Sequence, residues 1–241
     1  MNVLAIDTTT KTASVSIKKD NALFMDKVEN EITHSEKLLP LIDKVLNEAN
    51  IKISDISTLA CINGPGSFTG IRIGLATIKA IAQVNNLDIF SINSLELIAY
   101  TTYINKKLSK DCYIISIIST NNDRVFYCIY KLIKKNNKVD IENISTIKNE
   151  YIEDFVEDIN NFIKKIENNN DIFVSGNCIN TFKNELLSLN CNKYDFYPTT
   201  NDCINIISQI FDTSKYMFNT YTLKANYARK SQAERIKNGE N

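Results

Sequence analysis

Three stretches of the sequence hold residue types at spacings that chemistry uses. Asp7-Thr8-Thr9 follows the apolar run Val3-Leu4-Ala5-Ile6. A carboxylate and two hydroxyls there suit a magnesium-bound phosphate, and they equally suit an Asx/Thr turn of a hairpin. Gly64-Pro65-Gly66-Ser67-Phe68-Thr69-Gly70 lies between a strand pattern and a helical one. Its glycines permit positive φ and close backbone approach, the helix start favours an anion, and Arg72 adds charge in the first turn. The competing reading is a tight turn in which Ser67 or Thr69 caps the helix. Asp7, Thr8, Thr9, Gly64, Gly66, Ser67, Thr69 and Arg72 are therefore the candidate anion or nucleotide site.

Other chemistries find little support. The Gly-x-x-x-x-Gly-Lys-Ser/Thr spacing of a Walker loop is absent, and Ser67 does not stand in Gly-x-Ser-x-Gly. A serine nucleophile needs a base, and the single histidine is His34. Cys61, Cys112, Cys128, Cys178, Cys191 and Cys203 form no C-x-x-C pair. They read as small buried residues, and no metal site is expected.

The elements that must position these residues follow from periodicity. Residues 3–6, 13–18 and 22–28 read as an antiparallel meander. Thr33 and Glu36 form a capping box opening a helix to about Ala49, with Pro40 expected to bend it. Strand 59–62 leads through the glycine loop to a helix ending near Asn85, then a strand at 88–92 and a helix from Ser94 to about Ile104. The second half repeats the order: strands 113–118, 124–132 and 139–147, a helix near 153–167, strand 172–174, and helices near 179–189 and 202–218. Two βββαβα units predict a duplicated α/β architecture with mixed sheets, joined near residues 105–112. The expected divisions are an N-terminal lobe at 1–108, a C-terminal lobe at 109–220 and a basic tail at 221–241.

With 28 basic and 28 acidic side chains the net charge is zero, which excludes gripping nucleic acid by bulk electrostatics alone. No window approaches ~18 consecutive apolar residues, so no membrane span is expected. The start MNVLAIDTTT shows no signal peptide, and a cytoplasmic protein is expected. The segment from Lys215 onward holds six basic residues against Glu234 and Glu240, net +4. It suits RNA phosphates, an acidic partner or simple solvation, with Tyr221 and Tyr227 as anchors or stacking groups.

At about 100° per residue, Ile71, Gly74, Leu75, Ile78 and Ala82 share one face of the second helix. Ile73, Ala76, Thr77, Ala80 and Val84 share the opposite face, and Arg72, Lys79 and Gln83 form a narrow polar strip. A helix apolar on two faces is either enclosed by its own fold or shared with a partner. The first helix adds Leu38, Leu41, Ile42, Val45, Leu46 and Ala49, and pairing both helices with a partner's pair would make a four-helix bundle.

These segments together resemble the TsaB family, the bacterial dimerisation subunit of the tRNA threonylcarbamoyladenosine machinery. The resemblance rests on Leu4-Ala5-Ile6-Asp7-Thr8-Thr9, on the helix around His34-Ser35-Glu36-Lys37-Leu38-Leu39-Pro40-Leu41-Ile42, and on the glycine-rich stretch Gly64–Gly74. Tyr227-Ala228-Arg229-Lys230 also fits the family's tail. It is clear over the first hundred residues and weak beyond, the tail apart. It implies an actin/hexokinase-like (ASKHA) duplicated two-lobed fold. It also implies a non-catalytic subunit that pairs with the transferase paralogue TsaD, with help from the ATPase TsaE.

That assembly transfers threonylcarbamoyl from threonylcarbamoyl-AMP to an adenosine amine beside the anticodon of tRNAs reading A-starting codons. Carried over by position, the resemblance puts the interface at Leu38, Leu41, Ile42, Val45, Gly70, Ile71, Gly74, Leu75, Ile78 and Ala82. Arg229, Lys230 and Arg235 become tail contacts to RNA or partner. No cofactor is expected to bind tightly; ATP or ADP with magnesium is expected only at the level of the complex, and a homodimer where the partner is absent. The chain departs from nucleotide-binding relatives at Ser175-Gly176-Asn177, where they carry a glycine-richer loop, and at the long polar turn Thr120-Asn121-Asn122-Asp123. The rival functions are a small-metabolite kinase using Asp7 with Mg-ATP, a peptidase using Ser67, and an RNA-binding module.

Overall fold

The computed structural model describes residues 1–29, 34–120, 122–166 and 171–228. Contacts divide the chain into two units, Met1–Ser94 with Tyr216–Asn241, and Leu95–Lys215. The division thus falls before the expected junction near 105–112, and the segment after Tyr216 returns to the first unit. The reason is local: Met217 and Phe218 pair with a strand of that unit, and Leu223 enters its core.

The first unit carries β1 (Val3–Asp7), β2 (Thr12–Lys19), β3 (Ala22–Glu29), β4 (Thr58–Ile62), β5 (Ile89–Ile92) and β12 (Met217–Phe218). They form one mixed sheet in the order β12-β5-β4-β1-β2-β3. The meander β1-β2-β3 is antiparallel, and β1, β4 and β5 run parallel. β1 is buried throughout, as its continuous apolar run demands of a central strand. Helices α1 (His34–Glu48) and α2 (Phe68–Asn85) cover one face of this sheet. Leu4, Ile6, Val15, Ile17, Leu59, Cys61 and Ile89 pack against them. α1 runs uninterrupted through Pro40. Thr33, its expected cap, lies outside the described residues, as does the side chain of His34.

The second unit begins within α3 (Ser94–Asn105) and builds a sheet from β6 (Cys112–Ser119), β7 (Arg124–Lys135), β8 (Lys138–Asn143), β9 (Lys148–Tyr151), β10 (Ile172–Gly176) and β11 (Asn192–Asp195). Its order is β11-β10-β6-β7-β8, with β9 also on β7. α4 (Ile152–Ile163) buries Ile152, Phe155, Ile159 and Ile163 on that sheet, and Phe155 meets Tyr127 edge-on at 4.8 Å. The duplicated mixed-sheet architecture is therefore present in both units.

Three expected elements differ. The strand expected at 139–147 stops at Asn143, because Ile144 and Ser145 both donate to the Ile129 carbonyl and the Ser145 hydroxyl accepts from the Ile129 N–H, ending the ladder; β9 starts only at Lys148. No α-helix spans 179–189; turns and a 3-10 helix at Glu185–Ser188 stand there. The Asp195 carboxylate accepts the Ile179 N–H, holding this asparagine-rich stretch in a turn. The helix expected at 202–218 is α5 (Thr200–Ile207), capped by Thr199 and Asp202. It stops because Gln209 and Phe211 hydrogen-bond Val139 instead.

Candidate functional site

The Asp-Thr-Thr turn and the glycine loop come together, and they fill each other. Asp7 Oδ1 accepts the Thr9 N–H at 2.8 Å and the Thr9 hydroxyl at 2.7 Å, an Asx turn in which all three residues are buried. The Thr8 hydroxyl donates to the Gly70 carbonyl at 2.7 Å, and the Ser67 N–H donates to the Thr9 carbonyl at 2.6 Å. A Cβ on Gly66 would overlap Thr9, and one on Gly70 or Gly74 would overlap Thr8. The glycines are there so that this turn can lie directly against α2. The space beside Gly66, Gly70 and Gly74 is thus occupied by Thr8 and Thr9.

Ser67 caps α2, its hydroxyl accepting the Gly70 N–H at 3.2 Å, and Thr69 is exposed. Arg72 turns sideways: its guanidinium lies 4.0 Å over the Phe68 ring, and Nε donates to the Tyr227 hydroxyl at 3.2 Å. Gly64 has φ +105° and lies against the Asn226 carbonyl.

The ten interface positions require a correction. Leu38, Leu41, Ile42, Val45, Ile71, Leu75, Ile78 and Ala82 belong to the buried core under the sheet, and Gly70 and Gly74 are buried against Thr8. They are sealed by this chain itself. Ile78→Asp or Gly74→Leu would break the fold before reaching any partner. The two stripes of α2 are almost equally apolar, and only the sheet decides which of them turns inward. The exposed stripe is the other one: Ala76 and Ala80 are exposed, Thr77 is half-buried and Val84 is 84% exposed, while Ile73 packs partly against the core. On α1 the exposed apolar groups are Leu39, at 57%, and Pro40.

A family model described as TsaD, tRNA N6-adenosine threonylcarbamoyltransferase, matches residues 29–233. The chain belongs to the family that this model describes. Among curated relatives, the tRNA threonylcarbamoyladenosine biosynthesis protein TsaB of Buchnera aphidicola subsp. Baizongia pistaciae is 31% identical over 129 residues, 53% of this chain and 57% of that protein. The chain spans about half the length of the first such relatives it matches. TsaB of Buchnera aphidicola subsp. Acyrthosiphon pisum is 22% identical over 205 residues, 85% of this chain and 87% of that one. The fold matches a solved structure from Pseudomonas aeruginosa described as similar to the peptidase YEAZ, with TM-score 0.72, 17% identity, and coverage of 95% and 99%. The chain is thus similar in sequence to TsaB proteins, and it shares its fold with the Pseudomonas aeruginosa structure.

Elsewhere in the chain the chemistry is quiet. Ser175-Gly176-Asn177 is packing: a Cβ on Gly176 would overlap the Ile117 carbonyl, and Asn177 Oδ1 accepts the Ser119 N–H at 3.0 Å. Asn121 of the polar turn lies outside the described residues. Five thiols are buried and Cys191 is half-buried. Burial pushes Cys61, Cys112 and Cys178 up to about 12. Among the described residues no cluster of three metal-ligating side chains occurs, and no helix is long and apolar enough to cross a membrane. Arg229, Lys230 and Arg235 lie outside the described residues. Sequence reasoning missed the strap that precedes them. Met217, Phe218 and Leu223 between the polar residues were its signal.

Proposed function

We propose that this chain is a non-catalytic scaffold and activator in tRNA threonylcarbamoyladenosine synthesis, docked onto a TsaD-type transferase. The complex would move threonylcarbamoyl from threonylcarbamoyl-AMP to the exocyclic amine of the adenosine beside the anticodon. It would act in the cytoplasm, with a TsaE-type ATPase and tRNA engaging the pair and with ATP or ADP and magnesium held only by the assembly. The observation that carries this reading is the exposed stripe Ala76–Ala80–Val84, flanked by the half-buried Thr77, on a helix whose other face is already buried. Alanines there let a second helix approach closely, and Leu39 widens the patch. Docking at the usual scale buries about 800 Å² per partner. Without the transferase the same stripe supports a homodimer.

The kinase alternative loses its footing because Asp7 is tied into its own turn and the glycine loop is filled. The test is to mix the purified chain with its host's transferase and weigh the complex by light scattering. Ala80→Arg and Val84→Asp should leave the melting curve unchanged and abolish the complex. Co-elution of both variants with the transferase would remove the docking stripe. ATP hydrolysis or product formation by the chain alone would remove the non-catalytic reading.

A further inference from the structure

The segment after Tyr216 is strapped onto the first unit. Met217 pairs with Phe90, Tyr216 packs 5.6 Å from the Phe90 ring, and Leu223 is 1% exposed in the core. The Asn226 N–H donates to the Asn63 carbonyl at 2.8 Å, and the Asn63 side chain donates to the Lys224 carbonyl at 3.2 Å. The strap then follows the polar strip of α2 in the opposite direction. The Thr220 hydroxyl bonds the Gln83 side chain at 3.1 Å near the helix end, and Tyr227 reaches Arg72 in the first turn. There the Tyr227 and Phe68 rings lie 4.5 Å apart, with the guanidinium stacked on Phe68.

Arg72 is exposed, and among the described residues it enters no ion pair and makes one hydrogen bond, through Nε. It lies about 40° around the helix from Ala76, on the rim of the uncovered stripe. A guanidinium held by two rings has already lost much of its rotamer freedom, and its planar fork matches a carboxylate. Arginine and tyrosine beside an apolar patch are the residue types that dominate binding energy at interfaces.

We propose that Arg72, clamped by Phe68 and by Tyr227 of the strap, is the polar anchor of the docking surface and takes a carboxylate from the protein partner. This rests on the docking reading above. The strap thereby belongs to the interface although it is far from the helices in sequence.

The test is calorimetric titration of the full-length chain and its variants with the host transferase at low and high salt. Arg72→Gln should weaken binding about 10-fold or more at low salt, with a smaller difference at high salt. Tyr227→Phe, which keeps the ring, should stay nearer the wild type than Tyr227→Ala. The double variant Arg72→Gln/Tyr227→Ala should be little worse than either single one, since both remove one anchor. Should Tyr227→Ala melt early, Arg72→Gln and Tyr227→Phe, which leave the rings in place, carry the comparison. If Ala80→Arg abolishes binding while Arg72→Gln binds as the wild type does, the anchor is overturned and the docking reading stands. If Ala80→Arg is also without effect, the docking reading falls first. Loss of tRNA binding alone on Arg72→Gln would overturn the anchor in favour of a phosphate contact.

Discussion

The segments that follow β4 and β10 hold equivalent places in the two units and have opposite fates. After β4 comes a glycine loop and an 18-residue helix, α2, with one face in the core and another bare. After β10 come turns and a four-residue 3-10 helix, Glu185–Ser188, in which Leu186 is buried and Leu187 is 70% exposed. Both units bury a sheet face, so both satisfy the same architectural need. Only the first extends a long helix with a second apolar stripe, and that surplus is what a partner can use. The two units share a similar frame, and the sequence after the strand decided which one carries an exposed apolar stripe.

The comparison is broken most severely at the buried face of α2. Ile78→Asp places an unpaired charge at a 0% exposed position, and Gly70→Leu drives a side chain into Thr8. Each should cost about 3–5 kcal/mol or abolish cooperative unfolding in thermal or urea melts. Leu187→Asp at the counterpart in the second unit should change stability by about 0.5 kcal/mol or less. Equal effects would mean the two segments are not so different.

On the bare stripe, Val84→Asp should leave the melt unchanged but lower partner affinity at least about 30-fold, about 2 kcal/mol, by titration. Leu187→Asp should leave that affinity unaltered.

A smaller effect separates the second unit by pH. Burial opposes ionisation of Asp140, but hydrogen bonds from Lys135 and Lys215 outweigh it and hold the carboxyl down to about 2. A folded-state value below the unfolded one, near 3.8, stabilises the protein above about pH 4. That contribution is lost as pH falls through about 2. The lysines are well exposed, so the gain is below about 1 kcal/mol. Urea titrations of Asp140→Asn between pH 2 and pH 5 should lack this part of the acid slope.

The smallest expected signal is chemical. Mild alkylation of the native chain near pH 8 should reach Cys191 ahead of every other thiol, as mass spectrometry would show. Fast labelling of Cys61 would mean that the sheet beneath α2 opens more readily than its burial implies.

Much of this molecule was legible from periodicity. Strands Val3–Asp7 and Thr58–Ile62, α2 and the presence of a mixed sheet in each half all announce themselves, because local apolar spacing dictates which faces must leave water. The elements that were misread depend on distant partners. The helix expected at 202–218 ends where Val139 claims its backbone, and no spacing within that stretch records the fact. The candidate site divides the same way. Ser67 capping its helix was readable, since the cap and its acceptor are three residues apart.

What the sequence determined alone was that α2 carries two apolar stripes, that the glycines surround something close, and that nothing resembles a nucleophile with its base. What only the tertiary structure decided was which stripe faces inward, what fills the glycine loop, and where Tyr227 goes. Thr8 meets Gly70 across 62 positions and Arg72 meets Tyr227 across 155. The reason is physical: a helix propensity is satisfied within one turn, whereas burial of a face is a contract with residues that the chain brings near only after it has folded.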